Sequence, residues 1–334
     1  MNKAEQDYYI TLIRDSSFVL EPLPVILSDE WEALVPKKDA PVLKGIRAVL
    51  FDIYGTLFVS AAGEISAGKI MTDTTTPLGA LAPWVDKLHD TDKAFQEMKD
   101  YFRQEVKSRH EKAKSRGIFW PEVRAEEIWA GYEGKIPAGW PLKGGGRARG
   151  MELALRFELE SNPVYPMPHA EETLRSLIEG GYKLGIISNA QFYTPLLFNA
   201  FFNASPEEMG FTEELLIYSY KEKEAKPSPA LFTKACESLA VQNILPRETL
   251  YIGNDMRNDM VPAAERGFVT ALFAGDRRSL RLREDDPVCK GKTFTESRGS
   301  PRTFAEAESR GSPPNMVIKD LETFSRLLRK SSLV

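Results

Sequence analysis

Two cysteines in 334 residues, Cys236 and Cys289, are too few for a disulfide framework or a thiolate zinc site. Histidine is almost as scarce. His89, His110 and His169 form no i, i+4 pair, which excludes the common helical histidine metal site. Long hydrophobic runs are missing, so no transmembrane helix is expected. Glu5, Asp7, Arg14 and Asp15 break up the first twenty residues and leave no apolar stretch for an export signal. A cytoplasmic protein is the expectation. An excess of one charge is also lacking: 44 basic against 48 acidic side chains give a net charge of −4. No basic field is available to draw in nucleic acid or an anionic membrane. A small anionic substrate would have to rely on cations placed locally. Nothing in the pattern fixes an oligomeric state.

What is present suits a globular chain of about two domains. Residues 1–45 carry Pro22, Pro24, Pro36, Pro41 and the pair Tyr8-Tyr9, and read as an extension lying on the surface of the fold. The first strong element is Arg47-Ala-Val-Leu-Phe-Asp52, a short apolar run of the kind found in a parallel strand covered on both faces. Similar runs recur at Lys183–Ser188, Leu215–Tyr220, Thr249–Gly253 and Phe268–Phe273. Amphipathic helices separate them. One spans His169–Glu179, with Glu171 and Glu172 in its first turn and Gly180-Gly181 after its end. Another opens at Ser228-Pro229 and buries Leu231, Phe232, Ala235, Cys236 and Leu239, which makes Cys236 a small core residue. Strands alternating with helices predict an α/β fold with a Rossmann-like parallel sheet.

The pattern changes over residues 64–161, which are rich in Lys, Glu and Trp and read as helices, for example Asp92–Ala113. Trp120, Trp129 and Trp140 are expected in the core of this insertion, and Gly144-Gly-Gly-Arg147 as a loop. Residues 285–314 contain Glu-Ser-Arg-Gly-Ser-Pro twice and read as a disordered insertion. Order is expected to return in residues 315–334 as an edge strand and closing helix. The core is thus assigned to 46–63, 162–284 and 315–334.

In open α/β sheets a ligand binds beyond the carboxyl ends of the strands. Those ends read Asp52-Ile-Tyr-Gly-Thr56, Ser188-Asn189, Lys226-Pro-Ser-Pro after the third candidate strand, and Gly253-Asn-Asp-Met-Arg-Asn-Asp259. Carboxylates, a hydroxyl and a lysine would converge on one rim. In this order the set resembles the four motifs of the haloacid dehalogenase superfamily. The resemblance covers about half the chain and includes Tyr165-Pro-Met-Pro with the helix and strand that follow. It implies that Asp52 is the nucleophile, that Ser188 and Asn189 bind the transferring group, and that Lys226 offsets charge. It also implies that Asp255 and Asp259, with Asp52 and the Tyr54 carbonyl, hold Mg²⁺, and that residues 64–161 are a helical cap. Thr56 would steady the loop or contact a substrate oxygen.

One position departs from the family's phosphatases. Residues i and i+2 of an extended segment point the same way, and the general acid expected beside Asp52 is replaced by Tyr54. A phenol with an ordinary pKa near ~10 is a poor acid–base group at neutral pH. Asp-x-Tyr-Gly-Thr resembles instead the 2-haloacid dehalogenases, which need neither a metal nor that acid but use a cap arginine for halide. Arg103, Arg109 and Arg124 are candidates. The sequence therefore leaves open a Mg²⁺-dependent phosphatase on a small phosphorylated metabolite, which the acidic fourth motif favours. It also leaves open a carbon–halogen hydrolase and a non-catalytic ligand- or partner-binding chain.

Overall fold

In the computed structural model, residues 1–37, 45–62, 93–136, 142, 145–289 and 314–329 are described. The strands are β1 (Ala48–Phe51), β2 (Phe58–Ser60), β3 (Val164–Pro166), β4 (Lys183–Ser188), β5 (Phe211–Tyr218), β6 (Thr249–Gly253), β7 (Val269–Phe273) and β8 (Met316–Ile318). Six of them form one parallel sheet in the order β5-β4-β1-β6-β7-β8. β1 is apolar throughout and fully buried, so it belongs in the middle, between β4 and β6. Because successive side chains alternate, the strands supply two cores at once. Val49, Phe51, Leu184, Ile186 and Ile252 face one, and Leu50, Ile187, Leu215, Tyr251 and Leu272 the other. This is the expected α/β architecture, with helices on both faces.

The predicted strands at Lys183–Ser188 and Thr249–Gly253 have the expected bounds. β5 starts earlier than the sequence suggests and stops at Tyr218, where Ser219–Glu222 turn into a single helical turn. The helix Pro229–Val241 is capped by Ser228, whose Oγ accepts from the Ala230 amide, and it buries Leu231, Phe232, Ala235 and Leu239. Cys236 packs at the edge of that face.

The sequence pattern missed β2 and β3, which pair antiparallel where the chain leaves for the insertion and returns from it. The insertion contributes the helices Lys93–Lys114, Ala125–Ala130 and Gly146–Ser161. Its core is aromatic. Trp129 is fully buried and stacks on Phe102 at 5.3 Å, with Phe157 against both. Trp120 departs from expectation, since it is 39% exposed. Trp140, Gly144 and the duplicated Glu-Ser-Arg-Gly-Ser-Pro lie outside the described residues.

The extension is more than a surface layer, and that expectation needs correction. The helix Lys3–Ser16, closed by an Asn2–Glu5 capping box, buries Tyr9 and Ile13. Its Tyr8 hydroxyl donates to Glu152 of the insertion, while Arg14 donates to the carbonyls of Asn199 and Ala200. Further on, Trp31 is fully buried in the sheet's second core, and its Nε1 donates to Glu284. An indole surface of that size is stabilised inside the core rather than upon it.

Candidate active site

Asp52 is the first residue past β1, and its amide continues the ladder to the Ile252 carbonyl at 2.9 Å. Its carboxylate, almost buried, is 2.8 Å from Lys226 Nζ. That ammonium is also 2.5 Å from Asp259 Oδ1 and 3.2 Å from the Tyr251 hydroxyl. Burial alone would lower the Lys226 pKa, but Asp259 and Asp52 outweigh it and hold the ammonium above its ordinary value. Burial raises Asp259 to about 6, against the opposing pull of Lys226. Asp259 Oδ2 accepts the amides of Asn254 and Asp255 at 3.1 and 3.0 Å. Gly253 makes this approach possible, because a Cβ there would collide with the Asp259 carboxyl.

The Asp52–Thr56 loop folds back on itself, with the amides of Thr56, Leu57 and Phe58 all donating to the Ile53 carbonyl. Gly55 has φ +81°, and any side chain at that position would strike Ser279 and Asn254, so glycine is required twice over. Among the described residues, the amides of Ile53 and Tyr54 have no protein acceptor. They form a small donor pair beside Asp52, suited to an anionic oxygen. Thr56 is buried, and its hydroxyl lies 3.4 Å from Asn254 Oδ1, a contact that steadies the loop.

Ser188 ends β4, and its hydroxyl donates to the Asn189 carbonyl at 3.1 Å. Asn189 Oδ1 accepts the Lys226 amide at 2.7 Å, so this side chain positions the lysine. The two remaining expectations are met differently. Tyr54 turns its hydroxyl to Thr194 at 2.9 Å, and burial raises its pKa well above 10, so the phenol is neutral. Asp255 is engaged by a guanidinium. Arg283 donates to both of its oxygens at 3.2 and 2.7 Å, and the Arg257 and Asn258 amides and Asn258 Nδ2 take up the rest.

A magnesium ion would need hard oxygens from Asp52, the Tyr54 carbonyl, Asp255 and Asp259. Both oxygens of Asp255 and both of Asp259 already accept from protein donors, so this donor set does not fit the ion. No group of three or more His, Cys, Asp or Glu among the described residues is arranged to hold a metal. Asn254, not Asp255, is the fourth-motif side chain that faces Gly55 and Thr56.

The site thus brings together Asp52, Lys226 and Asp259 and sets Asp255 and the Tyr54 hydroxyl aside. Sequence reasoning missed Tyr251, whose hydroxyl is 2.9 Å from Asp259, and Arg283. A tyrosine flanked by Leu250 and Ile252 within the buried strand β6 was the available signal for the first. Arg283 lies too far along the chain to carry one. Arg103, Arg109 and Arg124 are all ion-paired within the insertion, to Asp100, to Glu105 and Glu127, and to Glu126 and Glu127.

A family model described as haloacid dehalogenase-like hydrolase matches residues 46–267. The Rhythmically expressed gene 2 protein of Drosophila melanogaster is 33% identical over 90 residues. That match takes in 27% of this chain and 32% of the fly protein's length. Among solved structures, an L-2-haloacid dehalogenase from Xanthobacter autotrophicus is 17% identical with a TM-score of 0.43, over 85% of this chain and 98% of that one. A HAD phosphatase from Thermococcus onnurineus has the same 17% identity, TM-score of 0.43 and coverage of 85% and 98%.

Proposed function

The chain belongs to the haloacid dehalogenase-like hydrolase family, and on that footing we propose that it hydrolyses a carbon–halogen bond in a small anionic substrate, without a resident metal. The observation that carries this reading is a joint one. The Asp52–Lys226–Asp259 cluster is assembled, whereas the place of a phosphatase's general acid is taken by Tyr54, whose hydroxyl turns to Thr194, and Asp255 is held by Arg283. A halide leaves without a proton, so this reaction needs no acid beside the nucleophile. A phosphate monoester's alkoxide does need one, and losing a general acid typically costs about 10²–10⁴-fold.

The geometry supports the following course. Lys226 holds Asp52 Oδ1, which leaves Oδ2 as the attacking oxygen. Oδ2 bonds to the substrate carbon as the carbon–halogen bond breaks, and halide departs with the electron pair, giving an ester of Asp52. Water then adds at the ester Cγ. The charge that develops on Oδ1 falls on the Lys226 ammonium. The acyl carbon–oxygen bond breaks, a water proton passes to the departing hydroxyl, and a second proton goes to solvent. The Ile53 and Tyr54 amides are the donors for a substrate carboxylate.

Purified protein is assayed for halide release from 2-chloropropionate and for phosphate release from a panel of phosphate esters, each with and without chelator. Halide release that survives chelation and disappears in Asp52→Asn is the expected result. Magnesium-dependent phosphate release would overturn the proposal in favour of the phosphatase. Binding without turnover on either panel would overturn it in favour of a non-catalytic chain.

A further inference from the structure

An extended segment of the insertion, Trp120–Ala125, crosses the loops after β4 and β5, in addition to the buried contact from the Tyr193 hydroxyl to Glu158. Backbone bonds run from the Glu122 amide to the Lys223 carbonyl at 3.0 Å and from the Ala225 amide to the Trp120 carbonyl at 2.8 Å. Gln191, fully buried, clamps the same segment: its Oε1 accepts the Ala125 amide and its Nε2 donates to the Val123 carbonyl, both at 2.9 Å. Arg257, from the fourth-motif turn, stacks over the Trp120 ring at 5.5 Å.

Within this segment, Glu122 is the carboxylate that reaches a core side chain. Its Oε2 accepts from Ser219 Oγ at 2.6 Å, and its Oε1 from the Val123 amide at 2.8 Å. Ser219 Oγ in turn accepts the Ala190 amide at 2.8 Å. The next residue back, Asn189, holds the Lys226 amide, and Lys226 holds Asp52. We propose that Glu122 is a positioning residue: through Ser219 it fixes the Ser188–Gln191 turn, and so sets the backbone from which Lys226 reaches the nucleophile.

The residue keeps some exposed surface, but its carboxyl group is packed into the junction. Burial raises its pKa to about 7, partly offset by the Ser219 hydroxyl and the Val123 amide. The charged groups nearby are engaged elsewhere or contribute only backbone. Arg124 pairs with Glu126 and Glu127, Lys221 lies over Tyr218, Glu224 accepts from Ser228, and Lys223 offers its carbonyl. When the junction opens, the carboxyl returns to its ordinary value near 4.5. A carboxyl raised in the closed form favours closure at low pH, and that contribution is lost as pH rises through about 7.

Hydrogen exchange on the full chain tests this without using turnover, so a failed halide assay and a failed junction are told apart. The peptides that matter span residues 186–193 and 219–226, with the helix Pro229–Val241 as internal reference. In the wild type, exchange corrected for the intrinsic rate is expected to be about tenfold faster at pH 8 than at pH 6. Glu122→Gln keeps the acceptor but cannot ionise, so its peptides should stay slow with no pH step. Glu122→Ala should be fast at both. A wild type with no step, a step retained in Glu122→Gln, or wild-type protection in Glu122→Ala each overturns the proposal. Should Glu122→Ala also loosen the reference helix, the profile of Glu122→Gln decides.

Discussion

At the scale of single residues, the partner that each carboxylate finds decides its part in the chemistry. Lys226 neutralises two acids in a buried setting, so Lys226→Ala should lower kcat for halide release by about 10²–10³-fold, as removal of a charge-stabilising donor does elsewhere. Lys226→Arg should not restore it, because a planar guanidinium cannot occupy the place of a compact ammonium between Asp52 and Asp259. Steady-state kinetics of the two variants check both statements. Asp259 gives the expected pH dependence. Its pKa of about 6 means that the carboxylate partner of Lys226 is lost as pH falls through that value, so kcat/KM should decline on the acid side there. A profile flat from pH 7 to 5 would count against it. Asn254 supplies a metal test. Its Nδ2 donates to the Ser279 carbonyl at 2.6 Å, so Asn254→Asp would set two oxygens against each other facing the nucleophile loop. The variant should lose thermal stability and regain it with Mg²⁺, whereas the wild-type Tm should not respond to Mg²⁺. Asp52, Lys226 and Asp259 were legible in the sequence because each follows a strand whose apolar run is unmistakable. The diversion of Asp255 was not, since Arg283 reaches it from 28 residues away through a loop with no periodicity.

Among elements, the parallel strands were the most legible, because burial on both faces forces continuous apolar runs. β2 and β3 were not, being three residues each and stabilised by pairing with one another. The N-terminal extension was the other misreading. Its prolines and polar residues suggest a surface layer, yet Trp31 fills the second core and the Val317 amide of β8 donates to the Leu34 carbonyl at 3.0 Å. Trp31→Ala should therefore cost about 3–5 kcal/mol, the range for emptying a large aromatic site in a core. Denaturant unfolding measures it. A loss below ~1 kcal/mol would return the extension to the surface.

For the whole molecule, the sheet brings the ends of β1, β4, β5 and β6 to one rim, and the insertion lies across the loops that leave it. Composition and charge gave early notice that any anion must be held by local groups, and Lys226 is such a group, together with the Ile53 and Tyr54 amides, which have no acceptor among the described residues. The central claim is that Asp52, not water, attacks the substrate. Repeated turnover in ¹⁸O-water followed by mass spectrometry of the peptide containing Asp52 tests it most directly. Attack by Asp52 and hydrolysis of its ester at Cγ predict heavy oxygen in that peptide's carboxylate. Heavy oxygen in the product alone, with an unlabelled peptide after many turnovers, would contradict the account.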